Sequence, residues 1–500
     1  MKTCLGWWSL VVRHALSVGW HGHLARASGA ALARRQCHPT RHSRRVGLLA
    51  AVAVFACGSV RADQPPAPLS VGWASVDVTP PKPAPLIGQY SRRIARTTRD
   101  PITATALALE TRSPNAEKEQ ALMVSCDVLW VQKAIQERIR QRVKPLVPDL
   151  DVGKLFLNAT HTHEAPGFVD DTFPPGGPFE GVLDVAGQEG VMRAAQYGDF
   201  FVERVAQAAV RAWSDRKPGA MSWGLGHAVV GKNRRIRYLD GPTVMHGNPR
   251  AENFDGFEGF EDHGVGMLFF WSAEGKLTGI VLNVACPSQV DGGISEVSAD
   301  YWHDVREALR SKLSRDLFVF PQCGAAGDID PILMPGEFRS QAEEAMQARK
   351  GLTRRQELAR RIARAVEDVL PTAKAAAKTA LVFRHEVARV DLPGHQPPTP
   401  DPGYRLDPIQ AIELHAIRLG EVALATNPFE LYVDYGVRIQ ARSPALMTLV
   451  VQLSCQGCGY LPTERAIRGG GYSAERFLVG PKGGQVLVNQ TLQRIEALWR

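Results

Sequence analysis

The sequence predicts a mixed α/β protein, with sheets flanked by helices in a single large domain and a site at strand ends and loops. Three observations support this fold class. Short apolar runs with β-branched residues alternate with longer segments of helical spacing. The 500 residues are 44% hydrophobic and 22% charged, which is typical of a globular protein with a sizeable core. No internal repeat or clear domain break is present.

The first 62 residues are predicted to be an export leader. The basic segment Arg41–Arg45 precedes the apolar run 46–60, which is shorter than the ~20 residues needed to span a bilayer. Ala62 closes a small-residue cleavage site before Asp63. We therefore expect an exported protein, whether periplasmic, secreted or held in the cell envelope, whose domain covers residues 63–500. The alternatives are lipid attachment at Cys57, an uncleaved anchor and a misplaced start codon.

The basic excess belongs to this leader. Residues 1–62 contain nine Lys or Arg and no acid, so 50 of the 59 bases and all 51 acids follow, a net charge of about −1. The composition therefore predicts no nucleic-acid partner. After the leader the sequence contains five cysteines, and this odd number does not fit a disulfide framework. They are Cys126, Cys286, Cys323, Cys455 and Cys458. The Cys455–Cys458 spacing fits a disulfide or half of a zinc site, and no second CxxC completes the latter.

The elements follow one another from the apolar patterns. Strands are predicted at 71–79, 103–110 paired with 120–125, from 154 until Pro166-Gly167 stops the strand, and at 221–230, 265–271, 277–286, 317–322, two within 412–426, and 446–453. Helices are predicted at 134–143, 197–213, 299–313, 354–369 and 427–441. The arginine pairs of helix 354–369 are interpreted as a solvated face. Pro/Gly-rich stretches at 174–178 and 394–408 are predicted loops.

The histidine segment 154–167 is the strongest functional candidate. It begins as a strand and is stopped by Pro166-Gly167. Side chains two apart on a strand share a face, so His161 and His163 are expected to point the same way at the strand's end. Two imidazoles there suit a metal ligand and an acid/base partner. The structural alternative is two partly buried, hydrogen-bonded histidines.

Further polar residues follow other predicted strands, which suggests one shared cleft. Each has a structural interpretation on spacing alone. Asn427 at N-cap, Pro428 at N1 and Glu430 at N3 form a capping box. The others are Cys286 as a small buried residue, Asp328 and Asp330 as turn residues, Arg234 and Arg235 as surface charges, and Tyr460 as packing.

Taken together, these segments resemble the neutral, non-lysosomal ceramidases. Residues 158–167 resemble that family's Thr-His-Thr-His-Ser-Gly-Pro-Gly motif, and 327–331 its Gly-Asp-Val-Ser-Pro loop. Residues 427–430 are similar to its Pro-Gly-Glu segment, and 460–463 with 471–472 to its Tyr-Val-Thr-Thr and Tyr-Glu-Gly stretches. The motifs occur in the family's order between residues 71 and 472. The resemblance implies the catalytic domain without the family's C-terminal immunoglobulin-like domain.

The resemblance also implies a zinc site. The family's zinc ligands are two His, one Glu and one Tyr, which places His161, Glu430 and Tyr460 at the metal. The family's Ala-Val-His-Pro segment reads Val-Ala-Cys286-Pro here, so Cys286 would replace the second histidine, since thiolate is a good zinc ligand. His303, from the following helix, is the rival.

The remaining roles are implied in the same way. His163 would be the general acid/base, and Arg234 and Tyr472 would stabilise the oxyanion. Asp330 stands where the family has a catalytic Ser, so no acyl-serine can form there. Asp330 would orient the water or His163, or its carboxylate would repel the oxyanion and exclude amidase activity.

The expected function is therefore an exported zinc-dependent amidase acting on ceramide or another N-acyl amine. The substrate would be a small-molecule or lipid amide, and a lipid substrate allows transient contact with a membrane surface. The alternatives are a related metallohydrolase of a different ester or amide, and an inactive ceramidase-like binding protein. The sequence leaves the oligomeric state open.

Overall fold

A computed structural model describes residues 65–113, 118–170, 180–334, 338–393, 411–475 and 477–500, which belong to one compact unit. The predicted leader and the loops at 174–178 and 394–408 lie outside these residues. Within them, no helix is both long and apolar enough to cross a membrane. All five described cysteines are free and buried, so Cys455 and Cys458 form no disulfide.

The elements have the following bounds. The strands are β1 Ala67–Asp77, β2 Ala84–Leu86, β3 Arg93–Ala95, β4 Thr97–Thr98, β5 Thr103–Arg112, β6 Lys118–Cys126, β7 Leu155–Ala159, β8 Lys217–His227, β9 Lys232–Asn233, β10 Arg235–Tyr238, β11 Thr243–Met245, β12 Phe254–Phe257, β13 Gly264–Ser272, β14 Leu277–Val284, β15 Glu296–Val297, β16 Phe318–Cys323, β17 Ile329–Asp330, β18 Ala380–Leu381, β19 Phe383–Asp391, β20 Ala411–Leu419, β21 Val422–Thr426, β22 Glu430–Leu431, β23 Met447–Val451 and β24 Tyr460–Leu461. The helices are α1 Lys133–Val143, α2 Ala194–Ser214, α3 Tyr301–Lys312, α4 Phe338–Lys350, α5 Arg354–Ala375, α6 Val433–Arg442, α7 Glu464–Gly469 and α8 Pro481–Leu498.

The largest sheet of the described residues is mixed, as predicted. Its strand order is β16-β14-β13-β8-β1-β5-β6-β7, with β18 added beside β1. The β14–β16 and β6–β7 pairs are parallel, and the other neighbours are antiparallel. The sheet curls so far that its two edge strands meet. Their contact is seen in the hydrogen bond that the Asn158 amide on β7 donates to the Pro321 carbonyl on β16 at 3.2 Å. The carboxyl ends of β7, β14 and β16 are therefore close together.

A second sheet, β19-β20-β21-β23, packs against the first. One core cluster contains apolar side chains of both sheets, among them Leu107, Phe156, Ile417 and Leu449. Helices α1 and α2 cover the outer face of the large sheet, and α6 and α8 cover the second sheet. The predicted fold class, with mixed sheets flanked by helices, is confirmed.

From the sequence alone, the arginine pairs of helix 354–369 are interpreted as a solvated face. This interpretation is wrong for Arg355. This side chain is buried and pairs with Asp100 at 2.8 Å, Asp304 at 2.7 Å and Asp291 at 3.0 Å. These acids come from distant segments, so no local pattern could show them.

The capping-box interpretation of Glu430 is also wrong. Helix α6 begins at Val433 with Tyr432 as its N-cap, and Glu430 lies on the short strand β22 before it. Strand β22 pairs in parallel with β24, which places Glu430 opposite Tyr460. Tertiary pairing has overridden the local helix-start signal.

Candidate functional site

The two histidines meet, although not by strand alternation. Strand β7 ends at Ala159, and His161 has a left-handed backbone with φ 67°. The expected shared strand face is therefore wrong. The turn nevertheless brings the His161 and His163 rings to 5.2 Å between centroids, nearly perpendicular to each other.

The buried His161 ring is oriented by the backbone. Its Nδ1 lies 2.7 Å from the Leu129 carbonyl oxygen, which can only accept, so Nδ1 carries the proton and Nε2 the lone pair. Nε2 lies 3.4 Å from Glu430 Oε2. Two tetrahedral zinc ligands at ~2.0–2.2 Å from the ion are separated by about 3.3–3.5 Å. The pair therefore fits a zinc ion, with the Leu129 carbonyl fixing the tautomer as outer-shell partners do.

Arg234 links the remaining charged groups. Its Nη2 donates to the Tyr460 hydroxyl at 3.4 Å and to the Gly327 carbonyl at 3.0 Å, and its Nη1 lies 3.4 Å from Asp330 Oδ2. Burial alone would lower the pKa of Arg234, but the charges of Tyr460 and Asp330 outweigh burial and raise it. Arg234 is therefore a fixed buried cation. The structural alternative of a surface charge is therefore wrong for Arg234 and also for its neighbour Arg235, which is buried 2.7 Å from Glu258.

Asp330 lies on β17, which pairs with β9 beside Arg234. Its Oδ2 lies 3.1 Å from His246 Nε2, and its Oδ1 accepts from the Ile332 amide at 2.7 Å. Among the described residues the side chains in contact with Asp330 are thus Arg234 and His246 rather than His163. This geometry suits a residue that positions Arg234.

His163 lies between two glutamine side chains. The amide nitrogens of Gln289 and Gln89 lie 2.5 Å and 3.3 Å from its Nε2 and Nδ1. Gly88 backs the ring with φ 106°, and a Cβ there would lie 2.7 Å from the ring carbon Cγ. Burial, aided by His161, Arg93 and Arg234, holds the pKa of His163 well below its ordinary value. The ring is therefore neutral at neutral pH.

The buried side chains of Arg93 and Glu164 lie behind His163. Arg93 Nη2 donates to the His163 carbonyl at 2.6 Å, and Arg93 Nη1 lies 3.5 Å from Glu164. Burial, reinforced by Asp300, raises the pKa of Glu164 to about 8, and Arg93 offsets this only in part. The sequence interpretation missed Arg93, Glu164 and the two glutamines. Only Glu164, inside the histidine motif, and Gln89, beside a glycine, carried a local signal.

The two rival ligands are not placed with His161 and Glu430. The buried Cys286 thiol donates to the Pro287 carbonyl at 3.5 Å, and burial, with Cys323 nearby, raises its pKa well above the ordinary value. His303 lies in the first turn of α3. Of all described His, Cys, Asp and Glu side chains, only Glu413, His415 and Cys455 form a group of three whose ligand atoms lie within 4.8 Å of one another.

Tyr472 does reach the site. Its ring lies 5.7 Å from that of Tyr460 and 6.1 Å from that of Tyr90, both edge-on. Its carbonyl accepts from Arg235 Nη1 at 2.9 Å. The structure thus brings together His161, His163, Glu430, Tyr460, Arg234, Asp330 and Tyr472.

This chain resembles known proteins in its fold and not in its overall sequence. No protein-family model matches the chain, and no curated protein is significantly similar to it in sequence. Solved structures do match. A ceramidase complexed with C2 has a TM-score of 0.66 at 16% identity, covering 87% of this chain and 75% of that one. The neutral ceramidase from Pseudomonas aeruginosa has a TM-score of 0.64 at 16% identity, covering 86% and 75%.

The chain has a neutral-ceramidase-like fold. At 16% identity the likeness establishes the fold alone. Activity has to be argued from the residues of the site.

Proposed function

We propose that this protein is an exported zinc-dependent hydrolase that cleaves the amide bond of ceramide or another N-acyl amine. The observation that supports the proposal best is the 3.4 Å separation between His161 Nε2 and the Glu430 carboxylate on a neutral-ceramidase-like fold. The His161 lone pair and the Glu430 carboxylate are two buried acceptors that would repel each other, and a cation between them would stabilise both.

His161, Glu430 and Tyr460 would hold the zinc ion. Three protein ligands with one open position are characteristic of catalytic rather than structural zinc. When bound, zinc polarises the scissile carbonyl and lowers the pKa of a water molecule to about 7. Cys286, the fourth ligand expected from the sequence, would have to turn from the Pro287 carbonyl to join them.

The other side chains supply proton transfer and charge. Neutral His163 accepts the proton of the attacking water and delivers it to the leaving amine. Arg234 and Tyr472 face the carbonyl oxygen as negative charge develops on it. Asp330 holds Arg234 in place through its 3.4 Å contact. Its carboxylate replaces the hydroxyl that a covalent route would need at this position.

That same carboxylate keeps a second candidate open, a related metallohydrolase of a different ester or amide. The carboxylate of Asp330 adds negative charge beside the proposed oxyanion position. This charge would oppose the developing oxyanion, and the size of that effect would differ between ester and amide substrates. An inactive binding protein would keep the cleft without the metal.

The test combines metal analysis of the mature protein with hydrolysis assays on N-acyl sphingosines and simple N-acyl amino acids. We expect stoichiometric zinc at the His161 site and release of the amine. His161→Ala should lose both, whereas His227→Ala, an exposed histidine at the end of β8, should keep both. Zinc without hydrolysis of any N-acyl substrate would favour the second candidate, and wild-type protein without zinc would contradict the proposal.

A further inference from the structure

A separate group of metal-ligating side chains lies where the two sheets meet. Glu413 and His415 are on β20, and Cys455 follows β23. Their ligand atoms lie within 4.8 Å of one another. His415 and Cys455 are buried, and the Cys455 amide donates to the Leu157 carbonyl on β7 at 3.0 Å. None of these residues belongs to the candidate active site. We propose that Glu413, His415 and Cys455 bind a second divalent transition-metal ion, zinc by its ligand chemistry.

The first argument is the count of protons along a buried histidine pair. The Gln120 carbonyl lies 2.8 Å from His385 Nδ1, so this nitrogen carries a proton and His385 Nε2 carries the lone pair. His385 Nε2 lies 2.8 Å from His415 Nδ1, which must therefore donate. With both rings neutral, the lone pair of His415 is left on Nε2.

That lone pair points at a carboxylate. His415 Nε2 lies 2.8 Å from Glu413 Oε1. Arg140 binds both Glu413 oxygens, at 2.5 Å and 3.0 Å, so the carboxylate is ionised and can only accept. Two acceptors in contact repel, and a cation between them removes the conflict. Binding zinc would widen the separation by about 0.5 Å to the ligand spacing that zinc requires.

The second argument is ligand type and charge. Thiolate, imidazole and carboxylate together favour zinc among the common divalent ions. Arg140 and Glu413 together carry no net charge. A divalent ion bound to the Cys455 thiolate would therefore give the site one net positive charge, which the carboxylate of Glu137, 2.8 Å from Arg140 Nη1, would offset. The His385–Gln120 hydrogen bond then acts as the outer shell that fixes the ligand tautomer.

The position suggests a structural role. The ion would join β20 to the segment that leads from β23 to Tyr460. That segment is hydrogen-bonded to β7, which leads to His161. Losing the ion should therefore lower thermal stability without removing the metal bound at His161. The inference does not depend on the proposed function.

The test uses the full chain produced with Co²⁺ as the added transition metal. We expect wild-type protein to contain a cobalt equivalent with a thiolate-to-cobalt charge-transfer band, in addition to any ion at His161. Cys455→Ser should lose the band and one equivalent. Cys458→Ser, a buried thiol three residues further on in the same loop, should keep both. Zinc X-ray absorption of the wild type, which needs no variant, should show sulfur at about 2.3 Å.

Two further variants separate this site from the candidate active site. His161→Ala should lower the metal content but keep the charge-transfer band, and Cys286→Ser should also keep it. If the proposed amidase function fails, the band should still be present and the His161 substitution should not affect it. Wild-type protein without the band and without the sulfur signal, or a band that disappears only in Cys286→Ser, would overturn the inference. The histidine pair would then share an extra proton in place of a metal.

Discussion

Replacing Glu430 with Gln separates a metal ligand from a structural carboxylate. The substitution keeps the shape of the side chain and removes its charge. Strand β22 should persist, because it pairs with β24 through the backbone, including the 2.8 Å hydrogen bond from the Glu430 amide to the Gly459 carbonyl. The perturbation is thus confined to the group 3.4 Å from His161 Nε2.

The Glu430→Gln substitution should change zinc affinity much more than the free energy of unfolding. A neutral amide is a much weaker zinc ligand than a carboxylate, and we expect at least ~100-fold weaker zinc binding, about 2.7 kcal/mol. In the metal-free protein the introduced side-chain amide can still face the His161 lone pair. The free energy of unfolding should therefore change by only about 1 kcal/mol.

The assay pairs zinc titration with denaturant unfolding of the metal-free protein. Glu258→Gln is the matched control, because Glu258 is a buried carboxylate whose ion pair, at 2.7 Å, is with Arg235 and not with His161. Breaking that pair should cost about 3–5 kcal/mol of stability and leave zinc binding unchanged. The opposite pattern in Glu430→Gln, with unchanged zinc affinity and a loss of several kcal/mol, would refute the ligand assignment. Glu430 would then be half of a buried ion pair with a protonated His161.

The other predictions concern proton transfer, the carboxylate at the serine position, the rival ligands and export. His163→Ala should keep zinc and lose turnover by ~10²–10⁴-fold; because burial depresses the pKa of His163 well below 6.5, the base form should dominate above that pH, and kcat/KM should fall only in acid well below it. Asp330→Ser should lower activity on the native substrate, and mass spectrometry of wild type should find no acyl-enzyme; a large gain of ceramide hydrolysis from an inert wild type would contradict direct attack. Cys286→Ala and His303→Ala should both keep zinc, since neither side chain is grouped with His161 and Glu430, and loss of zinc in one of them would identify it as a ligand. N-terminal sequencing of native protein should begin near Asp63, and a cytoplasmic protein beginning at the initiator methionine would exclude export.

The sequence predicted the elements whose pattern is local. Strands 103–110 and 120–125 were expected as a pair, and they lie within β5 and β6, which pair antiparallel from Ala104–Cys126 to Arg112–Lys118. Helix 197–213 lies within α2, whose buried residues recur at helical spacing. Long amphipathic or fully buried segments carry their structure in their own side chains. This is why the fold class could be predicted.

The site was predicted less well, because its geometry depends on partners distant in the sequence. Strands β9, β17, β22 and β24 are too short to produce a periodic pattern, yet they place Asn233, Asp330, Glu430 and Tyr460. The left-handed turn at His161 has no glycine to signal it. Family resemblance supplied the residues of the site, but it could not supply the contacts of Asp330 with Arg234 and His246.

Those contacts explain how the site can tolerate an acid where the resembled family has serine. Arg234 is surrounded by Tyr460, Asp330 and Glu430, whose negative charges raise the pKa of the guanidinium and stabilise its protonated form. With zinc bound, the cations at the site would outweigh Glu430, and Asp330 would balance part of that excess. Asp330 Oδ2 lies 3.4 Å from Arg234, whose positive charge balances the carboxylate, and 3.1 Å from His246 Nε2. A carboxylate at this position offers no hydroxyl nucleophile and leaves Arg234 in place, so under the proposed function it favours attack by water over a covalent route.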